Sequence, residues 1–393
     1  MQRAVMRVLQ IHNYYREAGG EDSVLDQERR LLTSHSHDVH QFTLHNNAIR
    51  QASLLPTAFN TVWNKRVHTS ICHLLLDRRI DVIHAHNTFP LISPSIYYAA
   101  SSCRVPVVQT LHNYRLLCLS AKLYRRGRTC ENCLRSRTLW RGVVGRCYRS
   151  SLLASATAAT MIHVHRVLGT WAGKVAQYIA LSGAARAKFI AGGFDPERIA
   201  VKPNFILEDP GPGAGGGRYA LFVGRLSEEK GIGTMLRAWE RLAPPLPLKI
   251  VGDGPMRPQV EAATRVVRNA EYLGRRSPLE VRELMGRAEF LVFPSTWYEG
   301  MPMTIIESFA RGTPVVASRL GTMQEMIRDG ENGALFSAGD PDDLARAVSA
   351  MSQKTQFTAS LRAGARREFE LKYTAERNYD LLMAVYERAI ANR

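Results

Sequence analysis

Two glutamates eight positions apart, Glu299 and Glu307, stand in the stretch P-S-T-W-Y-E-G-M-P-M-T-I-I-E-S-F-A-R-G-T-P-V-V-A-S at 294–318. A carboxylate accepts two hydrogen bonds at once, so either one suits the vicinal diol of a sugar or ribose. The alternative is structural, with Glu299 answering a helix macrodipole and Glu307 solvated on a helix face. Gly300 lets backbone come close to a ligand, and Met301, Pro302 and Met303 lead into a helix whose first N–H groups form an anion site. Arg225 and Lys230, in the loop G-R-L-S-E-E-K-G that begins at Gly224, bring two cations to another helix start. That pairing suits a diphosphate, although a basic loop pair is ordinarily just solvated. His112 closes a strand in T-L-H-N-Y-R, where it is either a ligand contact or a hydrogen-bonded loop residue. His84 and His86 share one face of a strand end and could ligate a metal, but no carboxylate is near them in sequence.

These residues need strands that end where they stand. The apolar run 290–293 reads as a buried strand stopped by Pro294, 303–311 as a helix with Ile306, Phe309 and Ala310 inward, and 314–317 as the next strand. The same alternation fills the chain. Strands are expected at 5–11, 39–44, 80–84, 105–111, 177–181 and 199–202, with helices at 21–34, 93–100, from 151 onward and at 183–191. It restarts with strands at 219–223, 248–251, 271–273 and 334–336 and helices at 232–242, 255–267, 278–285 and 375–391. Loops at the carboxyl ends of such strands face the ligand crevice of an open parallel sheet.

Between the two series, 208–217 reads E-D-P-G-P-G-A-G-G-G, a linker with nothing to bury. At 393 residues two domains are expected: 1–207, then the linker, then 218–374, then a terminal helix 375–393. Asp340, Asp342 and Asp343 open a helix, so capping accounts for them better than a metal does.

A net charge of +17 suits an anionic partner without choosing among nucleotide-sugar, anionic lipid and nucleic acid. The first residues lack a signal peptide's apolar centre, and no run reaches the ~20 apolar residues of a membrane span. The expected location is cytoplasmic, peripheral at the inner face of a membrane. Residues 118–149 break the rhythm as a basic insertion holding Cys118, Cys130, Cys133 and Cys147. The Cys130-x-x-Cys133 pair can reach one tetrahedral ion, and few apolar residues are available to fix the segment otherwise, so a structural zinc competes evenly with four reduced thiols.

The motif E-G-M-P-M-T-I-I-E resembles the signature of retaining glycosyltransferases of the GT-B fold, which include bacterial mannosyl- and glucosyltransferases. The resemblance runs along nearly the whole chain and is strongest at 224–333. It implies an α/β protein of two doubly wound Rossmann-like domains facing across a cleft, the first binding acceptor and the second nucleotide-sugar. It assigns Glu299 to the transferred sugar, Glu307 to the ribose, Arg225 and Lys230 to the pyrophosphate, and His112 to the donor sugar. Gly19 and Gly20 would approach the donor, and Gly252 and Asp253 the nucleotide base. Transfer would be metal-independent, the leaving phosphate taking the acceptor proton on the same face. The insertion resembles those of transferases building bacterial cell-surface polysaccharides, with a glycan or lipid-linked acceptor. A sugar-nucleotide epimerase of the same fold is the alternative. A nucleic-acid-binding protein is disfavoured, because the basic clusters lack interleaved stacking aromatics.

Overall fold

The computed structural model describes residues 4–16, 19–49, 54–267, 269–352 and 355–392. Its strands are β1 (Arg7–Tyr14), β2 (Asp38–His45), β3 (Val82–Asn87), β4 (Val107–Leu111), β5 (Tyr124–Arg125), β6 (Arg128–Thr129), β7 (Gln177–Ala180), β8 (Ile199–Val201), β9 (Ala220–Val223), β10 (Leu248–Val251), β11 (Ala270–Gly274), β12 (Phe290–Phe293), β13 (Val315–Ser318) and β14 (Gly333–Phe336). They form two six-stranded sheets of mixed α/β architecture, β2-β1-β3-β4-β7-β8 and β11-β10-β9-β12-β13-β14, in which every pairing is parallel. Parallel strands are covered on both faces, which is why β3, β4 and β12 are buried at every position, β12 as an unbroken apolar run and β3 and β4 with His84, His86, Asn87 and Gln109 inside.

The chain divides into two compact units. The first holds Met1–Leu123, Glu131–Pro203 and Asn378–Arg393, and the second holds Tyr124–Cys130 and Asn204–Arg377. The basic stretch at 118–149 is therefore shared out: its β5–β6 hairpin, turned by Arg126 and Gly127 at positive φ, belongs with the second unit.

In each sheet the strand order reverses beside the first strand of the series, β1 in one and β9 in the other. Crossovers leave such a strand in opposite directions, so the loops after it and after its late neighbour part and open a crevice at the carboxyl edge. The loop after β9 carries Arg225 and Lys230, and the loop after β12 carries Glu299. The loops after β1 and β3 hold the corresponding place in the first unit.

Local sequence sets the helix ends. Asp340 Oδ1 accepts from the N–H of Asp342 at 2.9 Å and of Asp343 at 3.0 Å, capping the helix Pro341–Ser352. Pro302 sits one place earlier than the first turn, as the extended N-cap of the helix Met303–Ala310. Ile305, Ile306, Phe309 and Ala310 bury that helix against the sheet. The helices Leu54–Val62, Lys65–Asp77 and Thr355–Lys372 have no counterpart in the sequence reading.

The run 208–217 is a docked strap. Gly213 N–H donates to Arg311 O, Gly215 N–H to Gly286 O and Gly217 N–H to Arg287 O, each at 2.9 Å. Arg362 reaches back to Gly213 O at 2.9 Å. Residues with nothing apolar to bury still carry backbone donors, wherever the position is not proline, and those of Gly213, Gly215 and Gly217 find the carbonyls at the ends of neighbouring helices.

Glycine decides how closely the β9 and β10 loops meet. Gly252 has φ 144°, and a Cβ there would lie 1.8 Å from Gly224 O. Gly252→Ala should therefore lose about 3 kcal/mol of stability, the cost of backbone strain plus a forced shift. Gly173→Ala meets no atom within 4 Å and should stay within about 0.5 kcal/mol. Urea unfolding of the two variants checks this, and equal midpoints would contradict it.

Candidate active site

In the second unit the sheet mouth holds one carboxylate that collects donors. Glu299 is buried, and its Oε1 accepts from Lys230 Nζ at 2.7 Å, Ser295 Oγ at 2.7 Å and Trp297 Nε1 at 2.8 Å. All three land on one oxygen. Among the described residues Oε2 receives none of them, so the carboxylate is held rigidly while keeping acceptor capacity. Thr322 Oγ1 donates to the carbonyls of Glu299 and Gly300 at 2.9 and 3.0 Å, fixing the backbone beneath. Lys230 ends a short 3₁₀ turn, and Gly231, at φ 73°, passes the chain into the helix Ile232–Arg241. A Cβ on Gly231 would fall 1.8 Å from Pro294 O, so the two loops touch where the cation and the carboxylate meet.

Around this pair, Arg225 is exposed and Glu307 lies on the solvent side of its helix. Desolvation by the neighbouring protein raises the Glu307 carboxyl above the usual range, with Arg282 pulling the other way. Met301 and Met303 are half-buried and Pro302 is buried. Asp253 is engaged within its own loop, accepting from Gly254 N–H at 2.8 Å and facing Arg275 at 3.3 Å. The hairpin approaches as well, Thr296 Oγ1 donating to the Tyr124 hydroxyl at 3.4 Å.

The first unit gathers its polar groups at β1, β3 and β4. His112 Nε2 lies 2.9 Å from His86 Nδ1, and His12 Nε2 lies 2.8 Å from Asp22 Oδ1. Gly19 donates its N–H to Asp22 Oδ2 at 2.9 Å, and Gly20 opens the helix Gly20–Ser34. No atom lies within 4 Å of a Cβ built on Gly19, and its φ of −123° is ordinary, so the chain itself does not require glycine there.

The carboxylate partner that sequence reading could not find for His84 and His86 is Glu28. It is fully buried on the helix Gly20–Ser34, 3.4 Å from each ring, and paired with Lys202 at 2.6 Å. The signal was present in the helix: Val24, Leu25, Glu28, Leu31 and Leu32 form one buried stripe, and an acid inside an apolar stripe implies a buried partner. Ser295, Trp297 and Thr322 carried no signal of that kind.

Burial opposes ionisation of Glu28, yet Lys202 and His86 outweigh it and hold the carboxyl below its usual range. Burial likewise drives His84 and His86 far down, and takes His112 down to about 3. All three imidazoles are neutral near pH 7. None of the four insertion cysteines is in a disulfide, Cys118 being buried and Cys130, Cys133 and Cys147 half-buried. The described residues form two three-ligand groups of metal-binding type, Glu28–His84–His86 and His12–Glu21–Asp22, neither of which includes a cysteine.

Two parallel α/β units, with a cation and a carboxylate at the mouth of the second sheet, are the doubly wound class of architecture. Residues 19–204 match the glycosyl transferase 4-like domain and residues 217–354 match the glycosyl transferases group 1 model. The chain belongs to the group 1 glycosyltransferases of the GT-B fold. It is 32% identical over 173 residues to an uncharacterised glycosyltransferase of Methanocaldococcus jannaschii, a match covering 43% of this chain and 48% of that one. It is 26% identical over 340 residues to a phosphatidyl-myo-inositol mannosyltransferase of Mycobacterium leprae, covering 83% and 79%. The fold is similar to that of the Anabaena HepE protein solved with UDP, at TM-score 0.65 and 19% identity over 97% and 100% of the two chains. It is also similar to sucrose-phosphate synthase from Thermosynechococcus elongatus, at TM-score 0.72 and 16% identity over 99% and 100%.

One carboxyl of the first unit lies well above its usual range. Burial, with Asp22 beside it, pushes Glu21 up to about 8, Arg115 and Asn113 opposing. A carboxyl whose folded pKa exceeds its unfolded one stabilises the fold below pH 4.5 and loses that contribution as pH rises toward 8. Glu21→Gln, which cannot ionise, should gain melting temperature over the parent progressively between about pH 5 and 8. A difference independent of pH would refute the assignment.

Proposed function

We propose that the chain transfers a sugar from a nucleotide-sugar to a hydroxyl acceptor, with retention at the anomeric carbon and without a catalytic metal. The observation that carries this is the clamp on Glu299, which keeps one oxygen open beside a lysine at the switch point of the second sheet. In this reading Glu299 accepts from hydroxyls of the transferred sugar and Glu307 from the ribose. Arg225 and Lys230 take the charge that develops on the leaving diphosphate, together with N–H groups at the start of the helix Ile232–Arg241. No side chain acts as a covalent nucleophile, and the departing phosphate oxygen accepts the acceptor's proton on the face it leaves. Gly224, Gly252 and Gly300 keep backbone close to the nucleotide. Gly19 and Gly20 give the donor room, and His112 meets its sugar.

A relative named as a phosphatidyl-myo-inositol mannosyltransferase and a structural neighbour solved with UDP support a nucleotide-sugar donor and a lipid-borne acceptor. So does the surface of the first unit. Trp140 is 68% exposed and Val144 58%, with Leu152 and Leu153 also exposed among Arg135, Arg141, Arg146 and Arg149. Exposed aromatic and aliphatic side chains in one stretch of sequence with exposed arginines suit an anionic membrane interface. Among the described residues no helix is long and apolar enough to cross a membrane. The reading is a peripheral enzyme at the inner face of a bacterial membrane, acting in cell-surface polysaccharide or glycolipid synthesis. A structural zinc on Cys118, Cys130, Cys133 and Cys147 belongs to the same proposal.

A thermal-shift screen against nucleotide-sugars tests the donor. A true donor at 100 times its dissociation constant adds ~2.7 kcal/mol of stability, and no stabilisation by any nucleotide-sugar would sink the reading. With the donor in hand, Lys230→Ala should lower turnover about a hundredfold. Glu307→Ala should weaken the bare nucleoside diphosphate as well as the donor, whereas Glu299→Ala should weaken mainly the donor; identical losses for both ligands in both variants would reject these roles. For zinc, untagged protein should carry close to one equivalent that Cys130→Ser removes. A content below about half an equivalent, unchanged in the variant, would discard it.

A further inference from the structure

Glu28 answers its burial differently on its two oxygens. Oε1 takes the Lys202 ammonium at 2.6 Å. Oε2 has no hydrogen bond and faces His84 Nδ1 and His86 Nε2, each at 3.4 Å. The two rings are not equivalent. His84 has both nitrogens engaged, Nδ1 with the Tyr386 hydroxyl and Nε2 with Thr110 Oγ1, each at 2.8 Å. His86 Nε2 has no other partner, while its Nδ1 lies 2.9 Å from His112 Nε2.

A metal ion is a poor tenant for Glu28, His84 and His86. Lys202 already supplies the cation beside the carboxylate, Asn378 Oδ1 holds that ammonium at 3.1 Å, and ligation would break the bonds of His84. The arrangement instead fixes protons. An ionised Oε2 facing the lone pair of an imidazole nitrogen is repulsive, so His86 carries its hydrogen on Nε2. Its Nδ1 is then an acceptor, and the contact at 2.9 Å needs a donor from His112 Nε2. The other nitrogen of His112, Nδ1, is left with its lone pair at the carboxyl end of β4.

We propose that Glu28 is a positioning residue which, through His86, locks His112 in the Nε2-protonated tautomer, so that His112 meets its ligand as a hydrogen-bond acceptor for a hydroxyl. Burial keeps both rings neutral, so the tautomer is what remains to be set. The chemical class selected is a sugar that presents a hydroxyl at that point. A carboxylate or carbonyl oxygen there would confront a lone pair, so donors with an acid or ketone at that carbon are disfavoured. This rests on the reading of His112 as a donor-sugar contact.

Long-range proton–nitrogen correlation spectra of the full chain labelled in histidine nitrogen, near pH 7, test the tautomer without any substrate. His112→Gln identifies the resonances. The parent should show the His112 hydrogen on Nε2. Glu28→Gln combined with Lys202→Met removes both buried charges together, leaving neither unpaired. In it the His112 hydrogen should distribute over both nitrogens, and kcat should fall about tenfold, the worth of one neutral hydrogen bond, with nucleoside diphosphate affinity unchanged. A hydrogen on Nδ1 in the parent overturns the proposal, as does a paired variant that keeps the parent tautomer. The parent spectrum decides even if the variant fails to fold. Full turnover of His112→Ala would instead remove the donor-contact reading and leave the tautomer result standing.

Discussion

A carboxylate taken out of water must be given donors or a proton, and each unit of this chain is arranged around one that is given donors. Glu299 receives an ammonium, a hydroxyl and an indole N–H on a single oxygen. Glu28 receives an ammonium on one oxygen and a pair of imidazoles at longer range on the other. Desolvated ion pairs of this kind add little net stability compared with apolar packing, so their value lies in direction. One carboxylate is aimed at a ligand and the other at a histidine.

Both depend on topology for their neighbours. Lys230 and Glu299 are far apart in sequence and meet because β9 and β12 are adjacent strands whose crossovers diverge. His86 and His112 meet because β3 pairs β4 in parallel register. Glycines close the remaining distance. Gly231 and Gly252 let loops come together where any side chain would strike a carbonyl.

The sheets and most helices were legible because parallel strands are short apolar runs and their helices carry apolar stripes. Strands β10 and β12 run between the residues that the apolar pattern marks. Asp340 was legible as a cap because a run of acids before a helix has one main use. The motif E-G-M-P-M-T-I-I-E carried the resemblance, and the family match over 217–354 agrees with it. What stayed hidden was partnership across the chain. Glu28 and Lys202 each look like solvated charges until the fold brings them within 2.6 Å. The docking of 208–217 was hidden too, since glycine and proline composition describes a segment's side chains and not where its N–H groups will go. The helices Leu54–Val62 and Lys65–Asp77 had no counterpart in that reading, and Asn64 between them caps the second through Val67 N–H.

The last helix, Ala375–Ala391, gives the first unit two of its innermost groups, Asn378 on Lys202 and the Tyr386 hydroxyl on His84. Both are made by the ribosome after the whole of the second unit. Domains usually fold in the order of their synthesis. Here the earlier half has to wait: its buried cation and histidines keep incomplete partners until the final helix emerges. A nascent chain halted after Arg377 would hold a finished later half and an unfinished earlier one, with a charged interior still open to water.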